Sequence, residues 1–213
     1  MKNKQLSVYI ADDHLLIREG LRRVLKDEAY IDVAGETANS GDVLSFVMEN
    51  EVDVVILDIN FPDRNGLEVL KDIKKAKPEV KVLMLSMYPE EHYAVRALKA
   101  GASGYLTKQS ASEELIHAVN KVAKGGKYIS SELAEKLAFD MDLTVGKASY
   151  TELSDREFEV LVLIAKGKPQ NEIAADLSLS PSTVNTYRTR ILEKLGFKSN
   201  AEIIHYAIEN KLI

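Results

Sequence analysis

Residues 53–66 read DVVILDINFPDRNG, and this stretch decides the fold. Val54 to Leu57 form an unbroken apolar run, which is typical of a strand buried on both faces of a parallel sheet. Asp58 follows the run directly, and Gly66 starts an amphipathic stretch. A buried strand, an acidic turn and a helix in this order indicate one unit of an α/β domain.

The same alternation runs through the first 125 residues. Strands are predicted at Ser7–Ala11, Ile31–Glu36, Asp53–Asp58, Val80–Ser86 and Gly104–Thr107. Helices are predicted at Leu15–Lys26, Ser40–Glu49, Gly66–Lys75, Glu90–Lys99 and Ala111–Lys124. Five strands alternating with five helices predict an α/β domain with a doubly wound, parallel five-stranded sheet and helices on both faces.

The rest of the chain carries a purely helical pattern. Helices are predicted at Asp155–Lys166, Gln170–Leu177, Pro181–Leu195 and Asn200–Glu209, which together form a small all-α domain over residues 150–213. Residues 126–149 are interpreted as a linker. It includes a stretch near Ser130–Phe139 that can form a helix and an aperiodic connector from Asp140 to Tyr150.

Composition and charge exclude several classes of protein. The chain has 213 residues, 46% of them hydrophobic and 29% charged, as expected for two globular domains. It has no cysteine, which fits a reducing compartment, and no apolar run near the roughly 20 residues that a membrane helix needs. We therefore expect a soluble, cytoplasmic protein without a membrane partner. The net charge is −5, and residues 149–213 carry eight basic and nine acidic residues, so DNA binding requires local placement of charge.

Polar residues follow the predicted strands at the edge where doubly wound sheets place their sites. They are Asp12, Asp13, Asp58, Ser86 and Lys108. Taken singly, each fits a structural role, as a helix cap, a turn residue or a solvated loop residue. Taken together, they predict an acidic pocket in which Mg²⁺ offsets the repulsion between carboxylates. Asp58 can then act as a nucleophile toward phosphorus, while Lys108 and Ser86 contact the transferring phosphoryl group.

Residues 6–124 resemble the receiver domain of bacterial two-component response regulators, which has a flavodoxin-like fold. The resemblance implies that Asp58 is phosphorylated by a sensor histidine kinase. It also implies that Asp12, Asp13 and Asp58 bind Mg²⁺, together with the backbone carbonyl of Asn60. Enzymatic activity is then confined to self-directed phosphoryl transfer and autodephosphorylation.

The resemblance also implies a switch formed by Ser86 and Tyr105. If Ser86 moves toward a phosphoryl group, space opens that Tyr105 can fill; a half-buried strand aromatic explains Tyr105 equally well. The sequence departs from the family pattern at Phe61, where Met is commoner, and at Gln109, where many receivers have proline. It therefore leaves open whether the Lys108–Gln109 bond is cis.

The predicted helix Pro181–Leu195 is amphipathic. Ser180 can cap it, and Val184, Tyr187, Ile191 and Leu195 are expected to face the core. The candidate DNA contacts are Ser182, Thr183, Asn185, Thr186, Arg188, Thr189, Arg190 and Lys194. Short polar side chains flanked by cations are typical of a major-groove helix, although an ordinary amphipathic helix with a solvated face is the better explanation of this helix taken alone.

An ordered set of short motifs extends over residues 153–196: LSDRE at 153–157, IAKG at 164–167, EIA at 172–174, LS at 179–180, TV at 183–184 and LEKLG at 192–196. Residues 150–213 thereby resemble the LuxR-type helix-turn-helix domain, and the whole chain resembles the NarL/FixJ class. This implies that helix 181–195 enters the major groove of promoter DNA, with Asn185, Thr186 and Thr189 nearest the bases. It also implies that helix 200–209 serves a dimer contact and that a homodimer forms on phosphorylation.

Two other functions fit parts of the sequence. An aspartyl-phosphate hydrolase would need a second acid/base and a cap, and no insertion interrupts residues 6–124. A protein-interaction adaptor is favoured by the net charge of −1 over residues 149–213 and by Asn171, where relatives often have lysine. The sequence leaves open the cognate kinase and its signal, the operator, activation or repression, and whether phosphorylation drives dimerisation or unmasks the DNA-reading helix.

Overall fold

The computed structural model describes residues 5–88, 90–131, 133–135, 150–210 and 212–213. The chain divides into two compact units, Met1–Asp142 and Leu143–Ile213. Nowhere in the described ranges is there a helix with the length and apolarity needed to cross a membrane.

The first unit alternates strands and helices. Its elements are β1 Leu6–Ala11, α1 Leu15–Lys26, β2 Ile31–Thr37, α2 Ser40–Glu49, β3 Val54–Asp58, α3 Gly66–Ala76, β4 Lys81–Ser86, α4 Glu90–Lys99, β5 Gly104–Thr107 and α5 Ala111–Ala123. The strands are parallel and lie in the order β2-β1-β3-β4-β5. The predicted doubly wound sheet is confirmed, and β3 is its central strand.

The central strands are buried on both faces, as their apolar runs predict. Val54 and Ile56 join a cluster with residues of α1 and α5, and all five residues of β3 are buried. Gly66 lets α3 begin close beneath the end of β3, because a Cβ there would lie 1.9 Å from the Asp58 carbonyl oxygen. This close approach holds Asp58 at the carboxyl edge of the sheet.

The second unit is a bundle of short helices. A 3₁₀ turn at Tyr150–Glu152 precedes α6 Asp155–Ala165, α7 Gln170–Asp176, α8 Pro181–Leu195 and α9 Asn200–Glu209. Ser180 caps α8 by accepting a hydrogen bond from the Thr183 amide, and Gly196 ends it in the left-handed region at φ 70°. The predicted helix start at Ser180 and Pro181 is confirmed.

The predicted strand and helix ends of both units differ from the observed ones by at most one residue. The linker prediction is covered only in part. Ser131 and residues 133–135 are helical, and Ser130 Oγ accepts a hydrogen bond from the Leu133 amide. The rest of the predicted helix and most of the predicted connector fall on residue 132 and residues 136–149, which lie outside the described residues.

Candidate functional site

Three predicted site residues meet at the carboxyl edge of the sheet. Lys108 Nζ lies 2.7 Å from Asp58 Oδ2 and 2.7 Å from Asp12 Oδ2. All three side chains are at most 3% exposed. An ammonium held between two buried carboxylates is a strongly coupled group of charges, and losing the ammonium leaves both carboxylates uncompensated.

Backbone contacts fix this arrangement. The Asn60 amide donates to Asp58 Oδ1 at 3.1 Å, and the Lys108 amide donates to the Ser86 carbonyl at 2.7 Å. The ends of β3, β4 and β5 are thereby joined around the carboxylates. The Lys108–Gln109 peptide bond, which the sequence left open, is trans.

The interpretation of Asp12 or Asp13 as a helix cap is wrong. The N-cap of α1 is His14, without a side-chain cap. Asp12 instead accepts a hydrogen bond from the His14 amide at 2.8 Å. The buried Arg18 supports the same loop, since its Nη1 donates to the Asp12 carbonyl at 2.6 Å. Both acids are therefore held at the pocket.

The pocket shifts the ionisation of its charged groups. Burial, followed by the charge of Asp12, raises the pKa of Asp58 to about 6, although Lys108 and the Asn60 amide act in the opposite direction. Burial alone would lower the pKa of Lys108, but Asp58 and Asp12 outweigh it, and the pKa of that ammonium is raised. Asp58 is therefore ionised at neutral pH, although less readily than an exposed aspartate.

The donor set fits a divalent cation. Asp12, Asp13, His14 and Asp58 each offer one ligand atom within 4.8 Å of the others. Lys108 Nζ lies 2.7 Å from Asp12 Oδ2, and His14 Nδ1 lies 2.6 Å from Asp13 Oδ1. Carboxylate oxygens are ligands that Mg²⁺ accepts. The role of the Asn60 carbonyl stays a prediction.

The two predicted switch residues approach the same loop. Ser86 is fully buried, and its Oγ accepts a hydrogen bond from the Tyr88 amide at 3.0 Å. Tyr105 is only 2% exposed, and its hydroxyl donates to the Tyr88 carbonyl at 2.9 Å. Burial raises the pKa of the Tyr105 hydroxyl. Tyr105 is thus buried rather than half-buried, and its hydroxyl bonds to the segment after Ser86; its role as a switch stays a prediction.

In the second unit, the candidate DNA-contact residues largely occupy the outer face of α8. Ser182, Asn185, Thr186, Thr189 and Arg190 are exposed, whereas Thr183 is partly buried. The core-facing prediction is confirmed for Val184, Ile191 and Leu195, whereas Tyr187 is only partly buried. The exposed face of α8 thus carries short polar side chains together with the cation Arg190.

Two of the predicted cationic DNA contacts bond to side chains of other helices. Lys194 Nζ lies 2.6 Å from Oε2 of Glu157, which is 3% exposed, and so ties α8 to the start of α6. Arg188 Nε donates to Asn200 Oδ1 at 2.6 Å. The role of Glu157 was not predicted, although Ser154 three residues before Glu157 is typical of a capping box, which the structure contains.

The fold, the acidic pocket and the amphipathic α8 together are those of a receiver domain joined to a helix-turn-helix domain. Residues 8–120 match the response regulator receiver domain family, and residues 151–207 match the LuxR family of bacterial regulatory proteins. The chain belongs to the response regulators of the NarL/FixJ class.

Relatives match over nearly the whole chain. The response regulator UvrY of Escherichia coli K12 is 36% identical over 208 residues, which cover 97% of this chain and 95% of UvrY. The response regulator GacA of Pseudomonas aeruginosa is 34% identical and 98% of each chain is covered. RcsB of Salmonella enterica serovar Typhimurium, solved on promoter DNA with the phosphomimetic BeF₃⁻, aligns with a TM-score of 0.65, 28% identity and coverage of 95% and 98%.

Proposed function

We propose that this response regulator accepts a phosphoryl group on Asp58 from a sensor histidine kinase and, as a dimer, binds promoter DNA through α8. The observation that supports phosphorylation of Asp58 is the position of Lys108 Nζ, which lies 2.7 Å from both Asp58 and Asp12 in a buried pocket. Membership of the receiver and LuxR families supports both halves.

The phosphoacceptor role follows from the charges in the pocket. One Asp58 carboxylate oxygen forms the new bond to phosphorus, and the bond between phosphorus and the donor atom breaks. Lys108 remains close enough to neutralise charge on the transferred group, and the Ser86 hydroxyl can turn from the Tyr88 amide toward a phosphoryl oxygen. Mg²⁺ held by Asp12, Asp13 and Asp58 would supply further charge neutralisation at the phosphoryl oxygens.

The DNA-binding role rests on the exposed polar face of α8. A helix of this kind reads base edges with short polar side chains, while cations near its rim contact phosphates. RcsB is solved on promoter DNA, and another structure contains two RcsB dimers on parallel DNAs. By analogy, two copies of this chain on adjacent half-sites would double the contact area.

A mobility shift with genomic fragments across salt concentrations tests the proposal. Binding should weaken steeply as salt rises, because contacts to phosphates release counterions. Phosphorylated protein should bind more tightly than unphosphorylated protein. An adaptor that does not bind DNA would show no salt-dependent shift in either state.

Replacing Asn185 or Thr189 by alanine should weaken specific binding by roughly 1–3 kcal/mol if these side chains reach bases. Both are exposed on α8, so folding should be unaffected. Competition binding with matched and scrambled fragments measures the effect. Lys124→Ala, an exposed position in the other unit, is the control. An unchanged sequence preference in both variants would assign these side chains to solvent.

Lys194→Met should lower the free energy of unfolding by about 1–2 kcal/mol at neutral pH, since it leaves the buried Glu157 carboxylate without its cationic partner. Burial acts to raise the pKa of Glu157, but Lys194 and Ser154 lower it more, so the net pKa lies below its ordinary value of 4.5. A carboxyl group with a lowered pKa stabilises the fold above that value and loses the contribution as pH falls through the folded pKa.

Urea unfolding at neutral and acidic pH therefore measures the Glu157–Lys194 pair. The difference between Lys194→Met and wild type should shrink below pH 4.5. A measurement of DNA binding distinguishes this structural role of Lys194 from a contact with a DNA phosphate. If Lys194 contacts a phosphate, the salt dependence of binding falls by about one ion in the variant; a structural lysine leaves that slope unchanged.

A further inference from the structure

The segment that follows α5 pairs with β5, which is the edge strand of the sheet. The Tyr128 amide donates to the Ser103 carbonyl at 3.0 Å, and the Tyr105 amide donates to the Tyr128 carbonyl at 2.9 Å. Tyr128 thereby forms a parallel bridge with Gly104. A Cβ at position 104 would lie 2.7 Å from the Tyr128 carbonyl oxygen, so glycine there admits the close approach. Residues 128–130 are called the strap below.

Side-chain contacts fasten the strap to two helices. The Tyr128 hydroxyl donates to Glu114 Oε2 at 2.8 Å, and Lys121 Nζ lies 5.7 Å from the centroid of the Tyr128 ring; both partners belong to α5. At the other end, the Ser130 amide donates to Oε1 of Glu90, the first residue of α4, at 2.9 Å. The strap therefore joins α5, β5 and α4.

Tyr105 connects the strap with the phosphoacceptor pocket. Its amide donates to Tyr128, whereas its hydroxyl donates to the Tyr88 carbonyl at 2.9 Å. The Tyr88 amide in turn donates to Ser86 Oγ. Burial raises the pKa of the Tyr105 and Tyr128 hydroxyls, and the charge of Glu90 raises both further, so Glu90 lies near both rings. A change at Ser86 thus reaches the strap through one loop and one residue.

The loop after β4 has to move if Ser86 contacts a phosphoryl group. The Tyr88 amide then loses the Ser86 oxygen as its acceptor, and a backbone amide that loses its partner is costly unless it finds another. Glu90 follows Tyr88 by two residues and is expected to move with this loop. Tyr128 is held by backbone bonds to a sheet strand, whereas Ser130 is held to α4 by a single exposed bond. The bond to Glu90 is therefore the one that opens at least cost.

We propose that phosphorylation of Asp58 breaks the bond between Glu90 and the Ser130 amide, leaves Tyr128 paired with β5, and thereby strengthens DNA binding. The proposal rests on the proposed phosphoacceptor function. The Ser130 carbonyl accepts a hydrogen bond from the Ala134 amide at 3.1 Å, so Ser130 begins the helical turn that follows. The helix-turn-helix unit comes later in the same chain, and release at Ser130 gives it more freedom to meet a second copy on adjacent half-sites.

Amide hydrogen exchange of the full-length protein, resolved by NMR, tests the release. With Mg²⁺ present, addition of BeF₃⁻ should speed exchange of the Ser130 amide by at least about threefold and change that of the Tyr128 amide by less than about twofold. Tyr128 is thus an internal control. Unchanged exchange at Ser130, or equal acceleration at both amides, overturns the inference.

Glu90→Ala should reproduce the release without phosphorylation. The Ser130 amide should exchange at least about threefold faster than in wild type, and unphosphorylated protein should bind DNA at least about threefold more tightly. Glu90→Gln keeps an oxygen acceptor without the charge, so it should lie between wild type and Glu90→Ala. Glu49→Ala removes an exposed glutamate of α2 and should match wild type. Fast exchange with wild-type DNA affinity in Glu90→Ala would disconnect the strap from DNA binding and overturn that part.

Asp58→Asn separates this inference from the proposed function. In this variant BeF₃⁻ should leave exchange at Ser130 unchanged, because the carboxylate that binds it is missing. If wild type gains no phosphoryl group from acetyl phosphate and Mg²⁺, the proposed phosphoacceptor function fails. The measurements on unphosphorylated Glu90→Ala still decide whether the strap restrains the chain.

Discussion

Asp58→Asn should abolish labelling of the protein by acetyl phosphate and Mg²⁺, whereas wild type should gain one phosphoryl group. The amide that replaces the carboxylate is a poor nucleophile toward phosphorus. Asp58 is fully buried at the end of β3, and Lys108 Nζ lies 2.7 Å from its Oδ2, so the transferred charge would be neutralised there. Intact-protein mass spectrometry measures the added group.

The rate of labelling should also depend on pH. Burial and Asp12 raise the pKa of Asp58 to about 6 in the metal-free protein, and only the ionised carboxylate attacks. The rate should therefore fall as pH drops through this range, and Mg²⁺ should move the fall to lower pH by stabilising the ionised form. A rate that is constant down to pH 5 at low Mg²⁺ would argue against this.

Asp63→Asn provides the matched control for Asp58→Asn. Asp63 lies five residues further on, and its Oδ2 accepts a hydrogen bond from Ser40 at 2.6 Å, away from Lys108. Labelling should survive in this variant. If the phosphoryl group instead persists in Asp58→Asn, another side chain accepts it and the assignment of Asp58 fails.

The sequence predicted what depends on local pattern. The apolar run before Asp58 and the helical spacing of Val184 and Ile191 follow from strand and helix periods of 2 and 3.6 residues, and both were confirmed. Because parallel strands end at the same edge of a sheet, the sequence alone predicted that Asp12 and Lys108 belong to one site. In the structure, Lys108 Nζ lies 2.7 Å from Asp12 Oδ2.

What the sequence could not predict depends on tertiary neighbours. A helical projection places Lys194 beside the exposed face of α8, but it does not show that the Glu157 carboxylate of another helix lies 2.6 Å away. Likewise, Arg18 reads as a solvated helix residue, although its guanidinium is buried against the Asp12 carbonyl. Long charged side chains have several reachable positions, and the partner that binds them decides between these.

Lys108→Met should lower the free energy of unfolding by about 3 kcal/mol at neutral pH without Mg²⁺. Its ammonium is the cation between Asp58 and Asp12, and all three groups are buried. Removing it leaves two carboxylates that repel one another in a medium of low polarity. Addition of Mg²⁺ should restore part of the loss, because the ion takes over the neutralisation. Chemical unfolding with and without Mg²⁺ measures both effects.

Asp58→Asn should have the opposite effect on stability. A carboxyl group with a raised folded pKa contributes stability below its unfolded pKa of 3.8, and this contribution is lost as pH rises through about 6. Removing the charge should therefore stabilise the metal-free protein by about 1–3 kcal/mol at neutral pH. This gain should vanish as pH falls below 3.8, where the native carboxyl group is itself neutral.

The double variant Lys108→Met/Asp58→Asn joins the two effects in one cycle. If the ammonium acts mainly on Asp58, the stabilisation by Asp58→Asn should be larger in the Lys108→Met background than in wild type, by at least about 1 kcal/mol. Strict additivity of the two changes would mean that the 2.7 Å contact carries no net coupling. Coupling between the two substitutions is expected in the absence of Mg²⁺, because the pocket then carries an excess of negative charge. The coupling should be smaller when Mg²⁺ is bound, since the ion and the ammonium neutralise the same carboxylates.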